Sequence, residues 1–414
     1  MKATRNITAK FTAIPVGQGD AFFLERDGFS VLVDGGRSRS GFPLIFRQTT
    51  KAAGANIVIC THNDADHANG ILGFIEAGMR CDELWLPGRW LTTLPDVLRP
   101  LHQVSHTLVE DLSRDRLEEW ATKWVFDGIE WPHPEHILEI YAKYARKRSE
   151  QAGTDHDGSW VDAETNGWPE SCIEMLEQAE SWESDRWFVG GDPYFWEFLD
   201  DKFFGPHGFV YRQIFRSLVD AASRIHAIAM AAFHRGIRIR WFEFNPTLPQ
   251  GGTSALRPVN SKEVARVQSR DGSLAWVLAM TVSNKESLVF WAPPIEQQHP
   301  GVLFTADSDL AGAHLPTNLS GAIVTAPHHG SEANSHAYTE ILRALGNNSS
   351  AITWVRSDGN YKSRPGATYR GLNCRRLCTL CQPKIGSTPK QSVKLFSKGH
   401  TWKRGRATAI CSCL

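Results

Sequence analysis

The chain has no net charge and no long apolar segment. Its 45 lysines and arginines balance 45 aspartates and glutamates over 414 residues, so the overall charge gives no argument for nucleic-acid binding and leaves only a local basic groove. The most apolar run, residues 217–233, contains Asp220, Arg224 and His226. This composition predicts a buried helix rather than a membrane span, and no membrane partner is expected.

Secretion signals are missing as well. The opening stretch MKATRNITAKF has basic residues but no apolar segment behind them, which argues against a signal peptide. The eight cysteines are too few for a disulfide framework, and Cys60 falls inside a predicted core strand. We therefore expect a reduced, cytoplasmic protein.

The hydrophobic pattern divides the chain into segments. Short alternating stretches predict strands in residues 1–100 and 236–360, whereas spacing of three and four residues predicts helices between them. The predicted strands include LAWVLAMTV (274–282), and AITWVRS (351–357) is the last. We predict an α/β (α+β) core over 1–100 and 236–360, a Trp-rich helical insertion over 101–235, and a basic Cys-rich C-terminal tail over 361–414.

One stretch concentrates ionisable groups at the end of a predicted strand. THNDADHANG (61–70) follows the apolar NIVIC and holds His62, Asp64, Asp66 and His67. Imidazole and carboxylate suit zinc, manganese or iron. Capping of the following helix would explain Asp66 alone, but not four such groups together, so the stretch predicts a divalent-metal site.

Two later strands end on residues that complete such a site. Asp307 follows LFTA, and His328 and His329 follow IVTAP. Each is a metal-ligand residue type at a predicted strand end, and strand ends can converge at one edge of a sheet. Three complementary clusters predict a binuclear site more firmly than any single cluster.

The motifs carry a family resemblance. VGQGDA (16–21), LVDGG (32–36), THNDADHANG, SNKESLVF (283–290), LFTAD (303–307) and PHHGS (327–331) together resemble the metallo-β-lactamase-fold hydrolases, and most closely the soluble hydrolase domain of ComEC-type competence proteins. The resemblance covers roughly residues 10–100 and 240–360. It implies a four-layer αββα sandwich with two divalent ions, zinc or manganese, at one edge between two sheets.

The resemblance also implies roles for individual residues. Asp307 would bridge the two ions, and one histidine of the HHGS pair would complete the second site; we favour His328, with His329 as the alternative. Asp34 would accept a hydrogen bond from a ligand imidazole, and Asp66 would also orient the nucleophilic hydroxide. The implied ligands are His62, Asp64, Asp66, His67, Asp307 and His328 or His329.

The sequence departs from the family pattern at three places. Many relatives have histidine where Asp64 stands, and many supply a mid-chain histidine ligand. We cannot place one here, since His226 and His234 lie in a helical pattern that predicts packing. Arg364 replaces a histidine that relatives tend to carry before a proline, and a permanent cation there would suit phosphate.

Ser331 and the aromatic residues leave alternatives open. Ser331 would donate to a phosphate oxygen or cap the next helix, and we favour the cap. The basic tail, with Phe396 and Trp402 among its cations, would track a nucleic-acid backbone or simply be solvated. Tryptophans of the insertion would stack bases or, more commonly, pack in a core. They are Trp120, Trp124, Trp131, Trp160, Trp168, Trp182, Trp187 and Trp196.

These observations predict a metal-dependent phosphodiesterase or nuclease that uses a hydroxide activated by two metal ions. A second interpretation keeps the metals but changes the substrate to a small ester, lactone or phosphorylated metabolite under a helical lid. A third is a regulatory module with a structural metal site, whose helical insertion docks a partner protein. The complete ligand set argues against the third.

The tail contains a separate group of cysteines. Cys378 and Cys381 have zinc-knuckle spacing, and Cys411 and Cys413 would complete a tetrahedron, with Cys374 or His400 as substitutes. The alternative is that these are reduced, unliganded thiols. A zinc ion held by four thiolates would be structural, because no coordination position stays open for chemistry.

Overall fold

The computed structural model describes residues 9–114, 141–143, 146, 165–179, 208–264, 273–295, 299–346, 352–359, 364–381 and 391–413. The chain divides into two compact units. The sheet unit comprises residues 1–88, 237–264 and 284–414, and the helical unit comprises residues 89–236 and 265–283. The helical unit is thus assembled from two separate stretches of chain.

All strands of the described residues belong to the sheet unit. In chain order they are β1 (Lys10–Ala13), β2 (Phe22–Arg26), β3 (Phe29–Val33), β4 (Gly54–Ile59), β5 (Arg80–Pro87), β6 (Arg238–Phe244), β7 (Arg257–Pro258), β8 (Ser261–Val264), β9 (Phe290–Ala292), β10 (Val302–Phe304), β11 (Ile323–Thr325), β12 (Thr353–Arg356), β13 (Arg375–Cys378), β14 (Val393–Lys398) and β15 (Thr401–Arg404).

The helices divide between the two units. The helices of the sheet unit are α1 (Phe42–Thr50), α2 (Ala65–Glu76), α8 (Ser335–Leu345) and α9 (Ala367–Arg370). Those of the helical unit are α3 (Trp90–Val97), α4 (Leu101–Arg114), α5 (Glu170–Gln178), α6 (Gly208–His234) and α7 (Leu274–Thr281).

The strands form two sheets. The first has the order β15-β14-β1-β2-β3-β4-β5-β6-β8, and the second has the order β13-β12-β11-β10-β9-β7. Strands β1 to β3 pair antiparallel, whereas β3 to β6 pair parallel. In the second sheet β10 to β13 are parallel. Parallel neighbours bring the carboxyl ends of their strands to one edge.

The two sheets face each other across a shared apolar core. Phe304 of the second sheet lies 6.2 Å from Phe11 and 6.5 Å from Phe22 of the first, measured between ring centroids. Trp85 and Phe290 make a similar contact at 5.4 Å. Burial of such large aromatic rings is a main source of folding free energy.

Helices cover the outer faces of both sheets. Phe46 of α1 packs edge-on against Phe23 of β2 at 5.1 Å and against Phe74 of α2 at 5.1 Å. On the other side, Tyr338 of α8 contacts Trp354 of β12 at 5.1 Å. The predicted four-layer αββα sandwich is confirmed.

Two predictions about elements differ from the structure. Residues 274–281, predicted as a strand, form helix α7 in the helical unit, capped by the Ser273 side chain, which accepts a hydrogen bond from the Trp276 N–H. This helix is buried nearly all round, so its sequence has no amphipathic period. A short apolar run of this kind fits a buried strand equally well.

The segment after residue 360 is not a tail outside the sheets. Strand β13 extends the second sheet beside β12, and β14 pairs with β1 in the first sheet, where Leu395 lies opposite Phe11. Strands β13, β14 and β15 therefore follow β12, which is not the last strand. Each is four to six residues long, too short for a distinct pattern.

Trp168 and His226 of the helical unit are used for packing, whereas His234, which the sequence also predicted to pack, is not buried. Trp168 is buried and packs edge-on against Phe233, and His226 is buried with Nδ1 2.9 Å from the Val97 carbonyl oxygen. His234 is exposed. No helix among the described residues has the length and hydropathy to cross a bilayer. Trp120, Trp124, Trp131, Trp160, Trp182, Trp187 and Trp196 lie outside the described residues.

Candidate metal centre

The candidate site lies at the carboxyl ends of five strands of the sheet unit. Asp34 directly follows β3, and the other residues follow their strands within four positions: His62 after β4, Asp307 after β10, His329 after β11 and Asp358 after β12. Because the relevant strands of each sheet are parallel and the two sheets are stacked, these ends converge. The predicted convergence of the motifs is a consequence of this topology.

Helix α2 places Asp66 and His67. It begins at Ala65, with Asp64 at its N-cap position, so Asp66 and His67 stand in its first turn. The turn at Gly19 packs directly on this helix start: Gly19 has φ +90°, and a Cβ there would lie 1.6 Å from the Asp66 carbonyl oxygen. Only glycine allows this approach, which also brings Asp20 into the site.

Hydrogen bonds orient two of the imidazoles. Nδ1 of His67 lies 2.8 Å from Oδ2 of Asp34. The Thr61 hydroxyl donates to the same Oδ2 at 2.8 Å, so its single proton is used and its oxygen accepts from Nδ1 of His62 at 3.0 Å. Both rings therefore carry a proton on Nδ1 and turn the Nε2 lone pair to the cluster.

His329 lies beside a buried carboxylate and a buried arginine. Its Nδ1 lies 3.1 Å from Oδ1 of Asp20, and its backbone carbonyl accepts a hydrogen bond of 2.6 Å from Nε of Arg356. Its Nε2 lies 3.2 Å from Nε2 of His67. Both His328 and His329 have positive φ angles, 46° and 52°, a strained conformation that is typical of functional sites.

The donor atoms form overlapping groups. Within each group the nitrogen and oxygen atoms lie within 4.8 Å of one another. Nε2 of His67 lies 3.3 Å from Oδ1 of Asp307, and Nε2 of His329 lies 3.5 Å from Oδ2 of Asp307 and 3.7 Å from Oδ2 of Asp66. The groups are His62, His67 and Asp307; Asp66, His67 and His329; and Asp20, Asp307 and His329.

Strong electrostatic coupling accompanies this geometry. Burial disfavours the charged form of Asp307, but the nearby His329, His67 and His328 outweigh burial and hold its pKa well below the usual value. Burial likewise favours neutral His329, yet the carboxylates of Asp307 and Asp20 raise its pKa to about 10. For Asp20, burial dominates and raises the pKa to about 6.

The donor set fits divalent cations. Nε2 of His62, Oδ1 of Asp307 and both carboxylate oxygens of Asp20 are buried atoms with no hydrogen bond among the described residues. Two ring nitrogens bound to one zinc at about 2.1 Å would stand about 3.4 Å apart, close to the 3.2 Å between His67 and His329. Buried, mutually facing lone pairs of this kind are stabilised by a cation.

The two adjacent histidines, His328 and His329, have different surroundings in the structure. His329 is fully buried and belongs to two of the donor groups, whereas His328 belongs to none of them, and its Nε2 lies 3.6 Å from Oδ2 of Asp307. Nε2 of His328 lies 3.5 Å from the Asn284 side chain. The geometry therefore favours His329 over His328, the residue preferred from the sequence, because the backbone turn at the strand end brings the second ring into the donor groups.

Asp64, Ser331 and Arg364 are the remaining residues that the sequence predicts for the site. Oδ2 of Asp64 lies 3.7 Å from Nε2 of His62, and its side chain is 38% exposed. The Ser331 hydroxyl accepts from the Ala333 N–H at the start of a 3₁₀ turn, as the favoured capping interpretation predicts. Nε of Arg364 lies 3.5 Å from Oδ2 of Asp358.

Sequence reasoning missed Arg356 and Asp358. Both are buried, and the Arg356 guanidinium lies 3.1 Å from Oδ2 of Asp358. Oδ1 of Asp358 accepts a hydrogen bond from the Gly19 N–H at 3.2 Å. The available signal was their position in VRSDG at the end of a predicted strand, like the other site residues. No mid-chain histidine joins the donor groups among the described residues.

The comparisons with known proteins agree with the geometry at the level of the superfamily. Residues 14–79 match the family model of the metallo-beta-lactamase superfamily, a segment that includes Asp34 and the His62–His67 stretch. A search of curated proteins finds no match. Together, the match and the donor set support a metal-dependent hydrolase in general. The closer likeness to ComEC-type proteins stays a prediction.

Proposed function

We propose that the sheet unit is a metal-dependent phosphodiesterase that acts on nucleic acid. The observation that carries this proposal is a guanidinium beside the buried donor cluster. Nε of Arg364 lies 3.5 Å from Oδ2 of Asp358, and Oδ1 of the same carboxylate accepts from the N–H of Gly19, which packs on the Asp66 carbonyl. The positive charge therefore lies beside the donor cluster. A phosphodiester brings negative charge that such a cation stabilises, whereas a neutral ester or lactone does not.

The chain offers donors for two ions that share a carboxylate. The group of Asp66, His67 and His329 would hold one ion, and His62 with Asp307 would hold the other. Asp64, 3.7 Å from His62, would be a further ligand of the second ion. Divalent ions held in this way lower the pKa of a bound water and stabilise the negative charge that develops on phosphoryl oxygens. Asp66, with one side of its carboxylate toward His329, would orient the attacking water.

Arg364 is itself held in place by charge. Asp358 pairs with Arg364 and also with the buried Arg356, which in turn donates to the His329 carbonyl. A charge network of this kind connects the phosphate-binding cation to a metal ligand through the backbone. Such a network would hold the guanidinium in one position and so lower the entropy cost of binding a phosphate.

The same unit has an exposed basic hairpin, formed by β14 and β15. Lys398, Lys403, Arg404 and Arg406 are exposed, and Phe396 is 37% exposed. Cations alternating with an aromatic ring suit a nucleic-acid backbone. Trp402, by contrast, is buried and donates to the Gly301 carbonyl, so it supports the core and is not available for stacking.

The decisive experiment uses the purified full chain with single- and double-stranded DNA and RNA under Mn²⁺, Zn²⁺ or Mg²⁺. We expect cleavage in wild type, loss in Asp66→Ala and Asp307→Asn, and wild-type activity in Asp309→Asn. Asp309 is the matched control, since it lies two residues from Asp307 and uses its carboxylate to accept from the Ala311 N–H, which asparagine also does.

Parallel substrates separate the alternatives. A lactone, a nitrophenyl ester and a nitrophenyl phosphodiester are assayed with the same three variants. Hydrolysis of the lactone or ester without any phosphodiester cleavage would overturn the proposal in favour of a small-molecule hydrolase. Equal behaviour of wild type and Asp66→Ala on every substrate would favour a regulatory module instead.

A further inference from the structure

A second cluster of metal-binding side chains lies outside the candidate catalytic site. Cys378 ends β13 and Cys381 follows three residues later, while Cys411 and Cys413 come from the final described residues. All four sulfur atoms lie within 4.8 Å of one another. Cys411 is brought there by its N–H, which donates to the Arg376 carbonyl of β13 at 2.8 Å.

The sulfur separations distinguish a metal site from disulfides. Sγ of Cys378 lies 3.1 Å from that of Cys381 and 3.7 Å from that of Cys413, and Cys381 and Cys413 are 3.6 Å apart. A disulfide would require about 2.05 Å. Four thiolates at about 2.3 Å from one zinc would stand about 3.8 Å apart, which is close to two of these distances.

Backbone donors point at the sulfur atoms. The N–H of Cys381 donates to Sγ of Cys378 at 3.3 Å, and the N–H of Ser412 donates to Sγ of Cys381 at 3.2 Å. Such hydrogen bonds stabilise negative charge on sulfur and orient ligating thiolates. Four partly buried thiolates would repel one another strongly without a cation between them.

We propose that Cys378, Cys381, Cys411 and Cys413 bind one zinc ion in a closed structural site. Four thiolates complete a tetrahedron, so no position stays open for water or substrate. Neither Cys374 nor His400, the substitutes considered from the sequence, belongs to the group of four. The ion joins two stretches of chain that the sequence separates by thirty residues.

Hydrogen bonds of Thr379 connect the proposed zinc site to the candidate catalytic centre. This residue lies between the first two thiolates; its N–H donates to the Arg356 carbonyl, and its hydroxyl accepts from the Asp358 N–H. Arg356 donates a hydrogen bond to the His329 carbonyl. Asp358 accepts one from the Gly19 N–H and pairs with Arg364. One hydrogen-bonded residue thus connects the proposed zinc site to the side chains that surround the donor cluster.

Cobalt substitution tests the proposal directly. Wild type and Asp307→Asn, each loaded with Co²⁺ under reducing conditions, should both show the intense near-ultraviolet thiolate-to-cobalt absorption of a tetrahedral cysteine site. The His and Asp cluster contains no thiolate and cannot produce this band. The measurement therefore remains informative even if the proposed phosphodiesterase activity is absent.

Cysteine variants give the matched comparison. Cys378→Ser and Cys413→Ser should lose the band and one equivalent of zinc per chain by elemental analysis, whereas Cys374→Ser should keep both. Absence of the band in wild type, its persistence in Cys378→Ser, or iron in place of zinc would overturn the proposal. So would a disulfide within the group, detected by mass spectrometry of unreduced protein.

Discussion

The carboxylate of Asp34 lies 2.8 Å from Nδ1 of His67, although 33 residues separate them in the chain. Asp34 follows β3 and His67 stands in the first turn of α2, so a strand end and a helix start meet here. The contact keeps the proton on Nδ1 and leaves Nε2 to face Asp307 and His329. The nitrogen of a candidate ligand is thereby oriented toward the donor cluster.

Asp34→Asn should weaken metal binding by about 10- to 100-fold, because the amide no longer favours the required form of the His67 ring. Asparagine tolerates the positive φ of 57° at this position, so the backbone should keep its course. Calorimetric titration with Zn²⁺ or Mn²⁺ measures the change, with Asp309→Asn as the control. Unchanged affinity would show that Asp34 does not orient the ligand.

His329→Ala should lose at least one metal equivalent and all hydrolytic activity, since its Nε2 faces both Asp66 and Asp307. His328→Ala should retain the metal content of wild type with a smaller loss of activity, because that ring belongs to none of the donor groups. Elemental analysis of the two variants measures which of the two histidine rings is needed for metal binding. The reverse pattern would restore the preference drawn from the sequence.

Arg364→Ala should lower kcat/KM for a phosphodiester by about 10- to 100-fold, the size expected from the loss of a charge-assisted hydrogen bond. Arg364→Lys should recover only part of this loss, because lysine lacks the planar fork of arginine. Metal content should stay that of wild type in both variants. Equal losses of metal and activity would mean that Arg364 supports the ligands rather than the substrate.

Phe304→Ala should lower the free energy of unfolding by about 3–5 kcal/mol, since the ring is fully buried between the sheets. Phe304→Leu, which keeps much of the volume, should cost less. Urea unfolding of the metal-free protein measures both. A loss below about 1 kcal/mol for the alanine variant would indicate that the contacts with Phe11 and Phe22 contribute little.

Removal of metal by a chelator should lower the melting temperature of wild type but not that of a variant unable to bind metal. An ion present at 100 times its dissociation constant stabilises the folded state by about 2.7 kcal/mol. Asp307→Asn should therefore lose the part of the shift that the His and Asp cluster contributes, Cys378→Ser should lose the part that the cysteine site contributes, and the double variant should lose both. Identical melting curves with and without chelator would exclude bound metal.

Local patterns in the sequence were sufficient to predict several features of the structure. The alternation in residues 10–33 predicts the antiparallel strands β1 to β3, and the crowding of His62, Asp64, Asp66 and His67 predicts a metal site. These features depend on neighbouring residues, so their signals are short-ranged. The strand-end positions of Asp307 and the histidine pair also follow from local pattern, because each comes directly after a short apolar strand.

Other features depend on contacts between distant residues. The sequence of helix α7 is as apolar as that of a buried strand, so only the packing of this segment decided that it forms a helix. Strands β13 to β15 are too short to stand out until β12 and β1 pair with them. The choice of His329 over His328, and the roles of Arg356 and Asp358, arise where strand ends from two sheets meet. Residue type and local spacing thus determined which metal-binding side chains the chain contains. The convergence of backbone segments that are distant in the sequence decided which of their atoms meet in one site.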